Sequence, residues 1–315
     1  MSNSPKVSVV IPTYNRGNFL RAAVASALAQ TLRDLEIIVV DDASAEDSEK
    51  VVRQFGDSRL KFIRHETNRG VAAARNTGVL KSQGKYIAFL DDDDEWLPEK
   101  LERQFELLEQ SPRNVGVVYT GSLAMESMNG KALFQLMPTL KGVIFQEMLL
   151  RDSLAPTSTF VVRKECFEKA GLFDVDFEFG EDFDMWLRIA AAFQFDYIEE
   201  PLVRFSAPDD NKRSLSSNNF EARIKASEAR LKKYAEIIAL DRRCHSRRYL
   251  SLGVLHCYNG NVRKGRESFI RGIKIHPLEP RNYFNLCLSL CGAKNYKKWK
   301  MLKEGVTSPG TEFVE

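Results

Sequence analysis

The chain has 315 residues, 43% apolar and 28% charged, with only 18 Gly and 11 Pro; these globular values exclude collagen-like, low-complexity and wholly disordered readings. Apolar stretches run only about six residues against the roughly 20 a spanning helix needs, and the opening MSNSPKVSVVIP has no signal-peptide pattern, so a soluble, intracellular protein is expected. The formal charge of +3 conceals a division: residues 1–210 hold 24 Lys and Arg against 34 Asp and Glu, residues 211–303 hold 22 against 6, and three Glu lie beyond, which implies parts facing different partners.

Through the first 120 residues, apolar β-branched runs at Val7–Ile11, Glu36–Val40, Leu60–Ile63, Tyr86–Leu90 and Val115–Tyr119 alternate with helical patterns over Asn18–Gln30, Glu46–Phe55, Gly70–Lys81 and Pro98–Gln110. Strands apolar on both faces between amphipathic helices predict an α/β fold with a mostly parallel sheet flanked by helices. In such sheets a ligand binds beyond the carboxyl ends of the strands. Three polar clusters fall on that rim: Pro12-Thr13-Tyr14-Asn15, Asp41-Asp42, and Asp91-Asp92-Asp93-Asp94-Glu95. No Gly-rich dinucleotide or P-loop motif follows the first strand.

Four or five acids at one strand end repel one another unless a cation lies among them. Hard divalent ions take oxygen ligands, and Mg²⁺ or Mn²⁺ typically uses one or two carboxylates plus water and phosphate. Asp91 and Asp93 share a face in extended chain, whereas Asp94 and Glu95 suit the cap of the helix near Pro98. Further on, Glu181-Asp182 opens an amphipathic helix with Met185, Trp186, Ile189 and Phe193 on its apolar side, Trp186 reading as core. Five cysteines without a CxxC pair read as small buried hydrophobes.

These blocks carry a resemblance. Val7–Asn15, Glu36–Ser44, Asn68–Gly78, Phe89–Asp94 and Gly180–Arg188 resemble, in order and spacing, the motifs of family 2 glycosyltransferases with the GT-A fold, over roughly residues 5–205. The resemblance implies an inverting, metal-dependent transfer of a hexosyl or N-acetylhexosaminyl group from a nucleotide-sugar donor, preferably a UDP-sugar. The acceptor would be a hydroxyl of a glycan or lipid-linked molecule in cell-surface polysaccharide synthesis. It implies donor binding by Pro12, Thr13, Tyr14, Asn15, Asp42, Arg69, Arg75, Asp91 and Asp92, with Tyr14 offering a stacking face. Asp42 would accept from a uracil or thymine imide, which penalises cytosine; Asp41 suits an Asx turn. Arg69 and Arg75 serve either the diphosphate or the acidic rim as counter-charge. Asp91 and Asp93 match the metal motif for Mn²⁺ or Mg²⁺, and Asp182 matches the general base. Glu181 and Arg188 are acceptor-side candidates, Arg188 alternatively orienting a carboxylate. The family's His after the last catalytic strand is missing; Arg204, Lys212 and Arg213 stand nearby. The alternatives are a sugar-nucleotide pyrophosphorylase, which should carry a Gly-rich loop after strand one, and a catalytically weak, transferase-like scaffold.

A catalytic domain is expected over 1–210, a basic helical region over 211–303 and a flexible tail over 304–315. Helical patterns cover Phe220–Leu240, Arg247–Tyr258, Arg263–Ile275 and Asn282–Leu290, and residues 246–279 resemble one tetratricopeptide hairpin with Gly at two positions where Ala is usual. No nucleic-acid motif accompanies the positive charge. An anionic membrane surface suits it better, with Tyr296, Trp299 and the lysines of 295–303 as interfacial anchors. The localisation expected is cytoplasmic, peripheral on the inner face of the membrane.

Overall fold

The computed structural model describes residues 4–126, 131–151, 153–206 and 219–304, the last four for backbone only. Lys212, Arg213 and the tail beyond Glu304 lie outside the described residues. The chain divides into two compact units: Met1–Phe145 with Ala155–Asp176 and Glu181–Ala207, and Gln146–Leu154 with Phe177–Gly180 and Pro208–Glu315.

The first unit opens with β1 (Val7–Thr13), α1 (Gly17–Leu28), β2 (Leu35–Asp41), α2 (Ser48–Arg53), β3 (Leu60–Arg64), α3 (Val71–Lys81) and β4 (Tyr86–Phe89). It continues through β5 (Asp94–Trp96), α4 (Lys100–Gln110), β6 (Val115–Met125), β7 (Ala132–Leu136) and α5 (Phe145–Leu149), which runs into the second unit. A 3₁₀ turn over Thr157–Thr159, β8 (Val161–Arg163), α6 (Lys164–Ala170), α7 (Glu181–Ala190) and β9 (Gln194–Ser206) complete it. Both faces of the sheet are covered, and alternation along one strand shows how: Ile37 and Val39 join the main core, while Ile38 and Val40 pack with Ala74 of α3. Each face therefore needs apolar residues, which is why β1 and β2 are buried at every position.

Strand order is β3-β2-β1-β4-β8-β6-β9-β5, with β7 paired to β6. β1, β2, β3 and β4 run parallel, as expected. The remaining half is mixed, because β8 pairs antiparallel with both β4 and β6 and β5 pairs antiparallel with β9. Between β1 and β4 the order reverses, so the crevice beyond their carboxyl ends is the ligand-binding position of an open α/β sheet. Thr13, Asp41, Asp42 and the Asp91–Asp94 turn all stand there.

The second unit holds α8 (Phe220–Lys233), α9 (Ala235–Leu240), α10 (Arg242–Tyr258), α11 (Val262–Ile275), α12 (Pro280–Ser289) and α13 (Gly292–Glu304). Side chains of Asn219, Asp241, Asn261 and Glu279 cap four of these helices by accepting from free first-turn N–H groups. The single helix expected over Phe220–Leu240 breaks at Tyr234. α10 and α11 pack against each other, and two glycines mark their close crossing. A Cβ at Gly253 would lie 2.4 Å from the Phe269 ring, and one at Gly265 would lie 2.4 Å from Cys257 Sγ. Two stretches expected within the 1–210 domain group with this unit instead: Cys244 Sγ lies 3.2 Å from Leu149 O, and Lys233 Nζ stands 5.1 Å from the Phe177 ring centre. Cys287 and Cys291 are exposed, against the expectation of buried thiols; Cys166, Cys244 and Cys257 are buried. Burial pushes the Cys244 thiol up to about 11 and that of Cys257 to about 12. Among the described residues no helix is long and apolar enough to cross a membrane.

Candidate active site

Two loops leave the sheet with shapes their residues impose. Asn15 takes a left-handed φ of 54°, accepts from Ala45 N–H through Oδ1 (2.7 Å), and its own N–H donates to Ser44 Oγ (2.8 Å). Asn is among the few non-glycine residues that tolerate that region. The loops after β1 and β2 are thereby tied together. Pro12 and Thr13 are buried within β1, while Tyr14 is 45% exposed at its end, free to offer a ring face.

Asp42 is buried and already serves three donors: Arg69 N–H (2.9 Å to Oδ1), Gly70 N–H (2.7 Å to Oδ2) and His65 Nδ1–H (2.7 Å). His65 Nε2 lies 2.8 Å from Thr77 Oγ1. The freely available acceptor expected for a base imide is therefore not what Asp42 presents. Its carboxylate instead holds the Asn68–Gly70 loop at the start of α3, where Gly70 takes a φ of 85°. Arg69 contributes its backbone to that arrangement and leaves its side chain exposed. Asp41 accepts from Ser44 N–H (3.0 Å), the expected Asx-type turn.

The acidic rim is built of four unlike carboxylates. Asp94 is buried, accepts from Ser158 Oγ (2.5 Å), and stands well above the usual carboxylate range because of burial and the charges of Asp91 and Asp93. Asp92 accepts from Thr13 Oγ1 (2.7 Å) and faces Arg16 Nη1 at 3.4 Å. Burial pushes its carboxyl up to about 7 despite those two partners. Asp93 lies 2.5 Å from Arg16 Nη1, and burial with the neighbouring Asp91 charge raises it as well. Asp91 accepts from Arg75 Nη2 (2.7 Å).

Arg75 is the connector. The guanidinium is buried and its other terminal nitrogen donates to Glu181 Oε1 (2.6 Å). Burial opposes its charge, but Asp91, Glu181 and Asp182 outweigh that and raise its pKa. One side chain thus brings the rim at residue 91 and the Glu-Asp block at residue 181 into a single site. Of the two uses open to Arg75, counter-charge is the one the structure displays. Glu181 is buried and raised by that burial and by Asp182, with Arg75 pulling the other way. Asp182, less buried, accepts from Thr157 Oγ1 (2.9 Å) and from Phe183 N–H (2.7 Å).

Arg188 does not face this site as an acceptor contact: its guanidinium grips Asp184 (2.9 Å), Leu172 O (2.8 Å) and Ala170 O, orienting a carboxylate of its own helix. Trp186 is core, stacked on Phe160 at 4.3 Å. Arg204 is exposed on β9, opposite Glu95. Sequence reasoning missed Arg16, His65, Thr157 and Ser158. Arg16 had a signal, since it follows the Pro12–Asn15 rim cluster directly; the other three sit in stretches without a motif.

The donor set suits a hard divalent cation: several carboxylates held close together, three of them raised by burial and by neighbouring carboxylate charge. Among the described residues no three His, Cys, Asp or Glu side chains converge as a metal cage.

A mixed α/β sheet with an acidic rim at its switch point is the GT-A arrangement, and the family match makes the chain a glycosyltransferase. It belongs to glycosyl transferase family 2, whose model matches residues 8–169. A glycosyltransferase of Rickettsia typhi is 30% identical over 224 residues, 69% of each chain. The Escherichia coli UDP-Glc:alpha-D-GlcNAc-diphosphoundecaprenol beta-1,3-glucosyltransferase WfgD is 30% identical over 183 residues, 58% of this chain and 69% of that one. Among other rickettsial relatives the chain spans from 64% down to 32% of their length. The mannosyltransferase PcManGT of Pyrobaculum calidifontis, solved with GDP-Man and Mn²⁺, has the same fold at a TM-score of 0.60 and 17% identity, over 96% of this chain and 84% of that one.

Proposed function

We propose that the chain transfers a hexose or N-acetylhexosamine from a UDP-sugar to a hydroxyl of a lipid-linked glycan, with inversion, in cell-surface polysaccharide synthesis. The observation that carries this is the Arg75 bridge, because a transferase needs leaving-group stabilisation and an acceptor base within one site. Asp182 takes the proton of the acceptor hydroxyl as its oxygen attacks the anomeric carbon, while the bond to the nucleotide breaks on the opposite face. Asp91 and Asp93 would hold Mn²⁺ or Mg²⁺, which supplies Lewis-acid stabilisation of the departing diphosphate. Pro12–Asn15 form one wall for the base, with Tyr14 as the stacking face. The similarity to WfgD supports a UDP-sugar and a diphosphate-linked acceptor. The Mn²⁺ bound by PcManGT supports the metal.

The helical unit carries the membrane part of the proposal. Trp299 is 58% exposed on α13, and Lys294 and Lys298 are exposed beside it. Tyr296 is not an anchor: it is buried, and its hydroxyl donates to Asn285 Oδ1 (2.6 Å).

Turnover of UDP-sugars with Mn²⁺ tests the reaction. Asp182→Asn should lose at least about 100-fold in UDP release, the lower range for general acid–base groups, and Asp93→Ala should lose the Mn²⁺-dependent part of UDP release. Release that survives Asp182→Asn unchanged removes the base assignment. Thermal stabilisation by UDP-, GDP- and dTDP-sugars identifies the nucleotide.

A further inference from the structure

Two hydroxyls on the Thr157–Thr159 turn lie against the site without belonging to the donor-binding residues or to the base itself. Ser158 Oγ accepts from Asp91 N–H (3.0 Å) and donates to Asp94 (2.5 Å). Thr157 Oγ1 donates to Asp182 Oδ2 (2.9 Å). All three residues of the turn are buried, and their backbone is fixed from behind. Trp96 Nε1 donates to Ser158 O (2.8 Å), and Gln104 Nε2 donates to Thr159 O (2.9 Å). Gln104 in turn accepts from the buried Lys100 Nζ (2.7 Å). A carboxylate's terminal torsion is soft, so one backbone donor on Oδ1 does not by itself fix the direction of the second oxygen.

We infer that Thr157 is a positioning residue for Asp182. The Phe183 N–H holds Oδ1 and the Thr157 hydroxyl holds Oδ2, which aims the remaining lone pair of Oδ2 at the incoming acceptor. Because adjacent residues of one turn hold Asp182 and the Asp91 backbone, the turn keeps the base in register with the acidic rim. This rests on the reading of Asp182 as base.

The test compares Thr157→Val, which keeps shape and removes the donor, with Thr157→Ser, which restores it, and with Thr157→Ala should the valine variant not fold. Each is made in wild-type and Asp182→Asn backgrounds, reading kcat, donor KM, UDP affinity and Tm. Thr157→Val should lower kcat about tenfold or more, the rate equivalent of about 1.4 kcal/mol, with donor KM, UDP affinity and Tm unchanged. Thr157→Ser should recover most of the rate, and in the Asp182→Asn background the valine should cost nothing further. Wild-type kcat in Thr157→Val or Thr157→Ala while Asp182→Asn is inactive overturns the inference alone. Losses that multiply across the two backgrounds, or a drop in UDP affinity, overturn it too, since they show Thr157 acting otherwise than through Asp182. Full activity of Asp182→Asn instead defeats the reading beneath it.

Discussion

Replacing Arg75 by Met keeps most of the packing volume and removes the cation between Asp91 and Glu181. Breaking a buried ion pair from one side costs about 3–5 kcal/mol, because the abandoned charge stays desolvated. The lower end is expected here, since the Asp91 side chain is 31% exposed and recovers some hydration while Glu181 does not. The pH profile has a defined sign. Burial and Asp182 already hold Glu181 above its ordinary value with Arg75 opposing, so removing Arg75 lifts it further. A raised carboxyl contributes stability below its unfolded pKa of about 4.3 and loses it as pH rises through the folded value. The deficit of Arg75→Met should therefore be small near pH 5 and full at pH 8. Urea unfolding followed by tryptophan fluorescence reads it, with Trp96 and Trp186 both buried in the first unit. Adding Glu181→Gln should restore about 1–2 kcal/mol, as a neutral amide tolerates burial better than an unpaired charge. A variant within about 1 kcal/mol of wild type at pH 7.5, or one with the same deficit at pH 5 and pH 8, refutes the reasoning.

Gly70→Ala should cost about 1–2 kcal/mol although nothing lies within 4 Å of the added Cβ, because the φ of 85° is strained for any L side chain; an unchanged urea midpoint contradicts this. Asp92, raised to about 7, should make the metal-free protein lose stability between about pH 4 and pH 7. Asp92→Asn should remove that component and millimolar Mn²⁺ should flatten it; parallel Tm profiles for variant and wild type would show the burial to be without thermodynamic effect. Tyr296→Phe should cost about 1–2 kcal/mol through its lost hydrogen bond and leave vesicle binding intact. Trp299→Ala should weaken co-sedimentation with anionic vesicles, and equal partitioning with neutral vesicles at low salt would eliminate the membrane reading.

What was legible follows from burial. β1, β2 and β4 are short apolar runs enclosed on both faces, so composition alone marks them, whereas β3 is only partly buried. β8 has three residues and β9 is interrupted by Glu199-Glu200-Pro201, and neither carries a periodic signal. Their pairing depends on partners distant in sequence, as does the mixed half of the sheet. The acids of the site were legible because carboxylates cluster visibly in a chain. Arg75 was legible as a cation, but its role was open until Asp91 and Glu181 stood on either side of it. His65 and Thr157 are ordinary polar residues whose importance lies wholly in which carboxylate they touch. Tyr296 was misread because a Lys-rich window looks interfacial, whereas the ring fills the small core of Val254, Cys257, Tyr258 and Phe269.

The two compact units are woven from alternating stretches of one chain, so the backbone passes from one to the other five times. A gene fragment ending near residue 206 would keep the 146–154 and 177–180 stretches and lose the rest of the unit they group with. Met148, Leu149 and Phe177 are buried within the other unit and would be stripped of their surroundings, leaving sticky surface and poor expression. Recombination between paralogues faces the same restriction: a transplanted C-terminal module must bring the 146–154 and 177–180 inserts with it, and the second of these ends one residue before the Glu181-Asp182 pair.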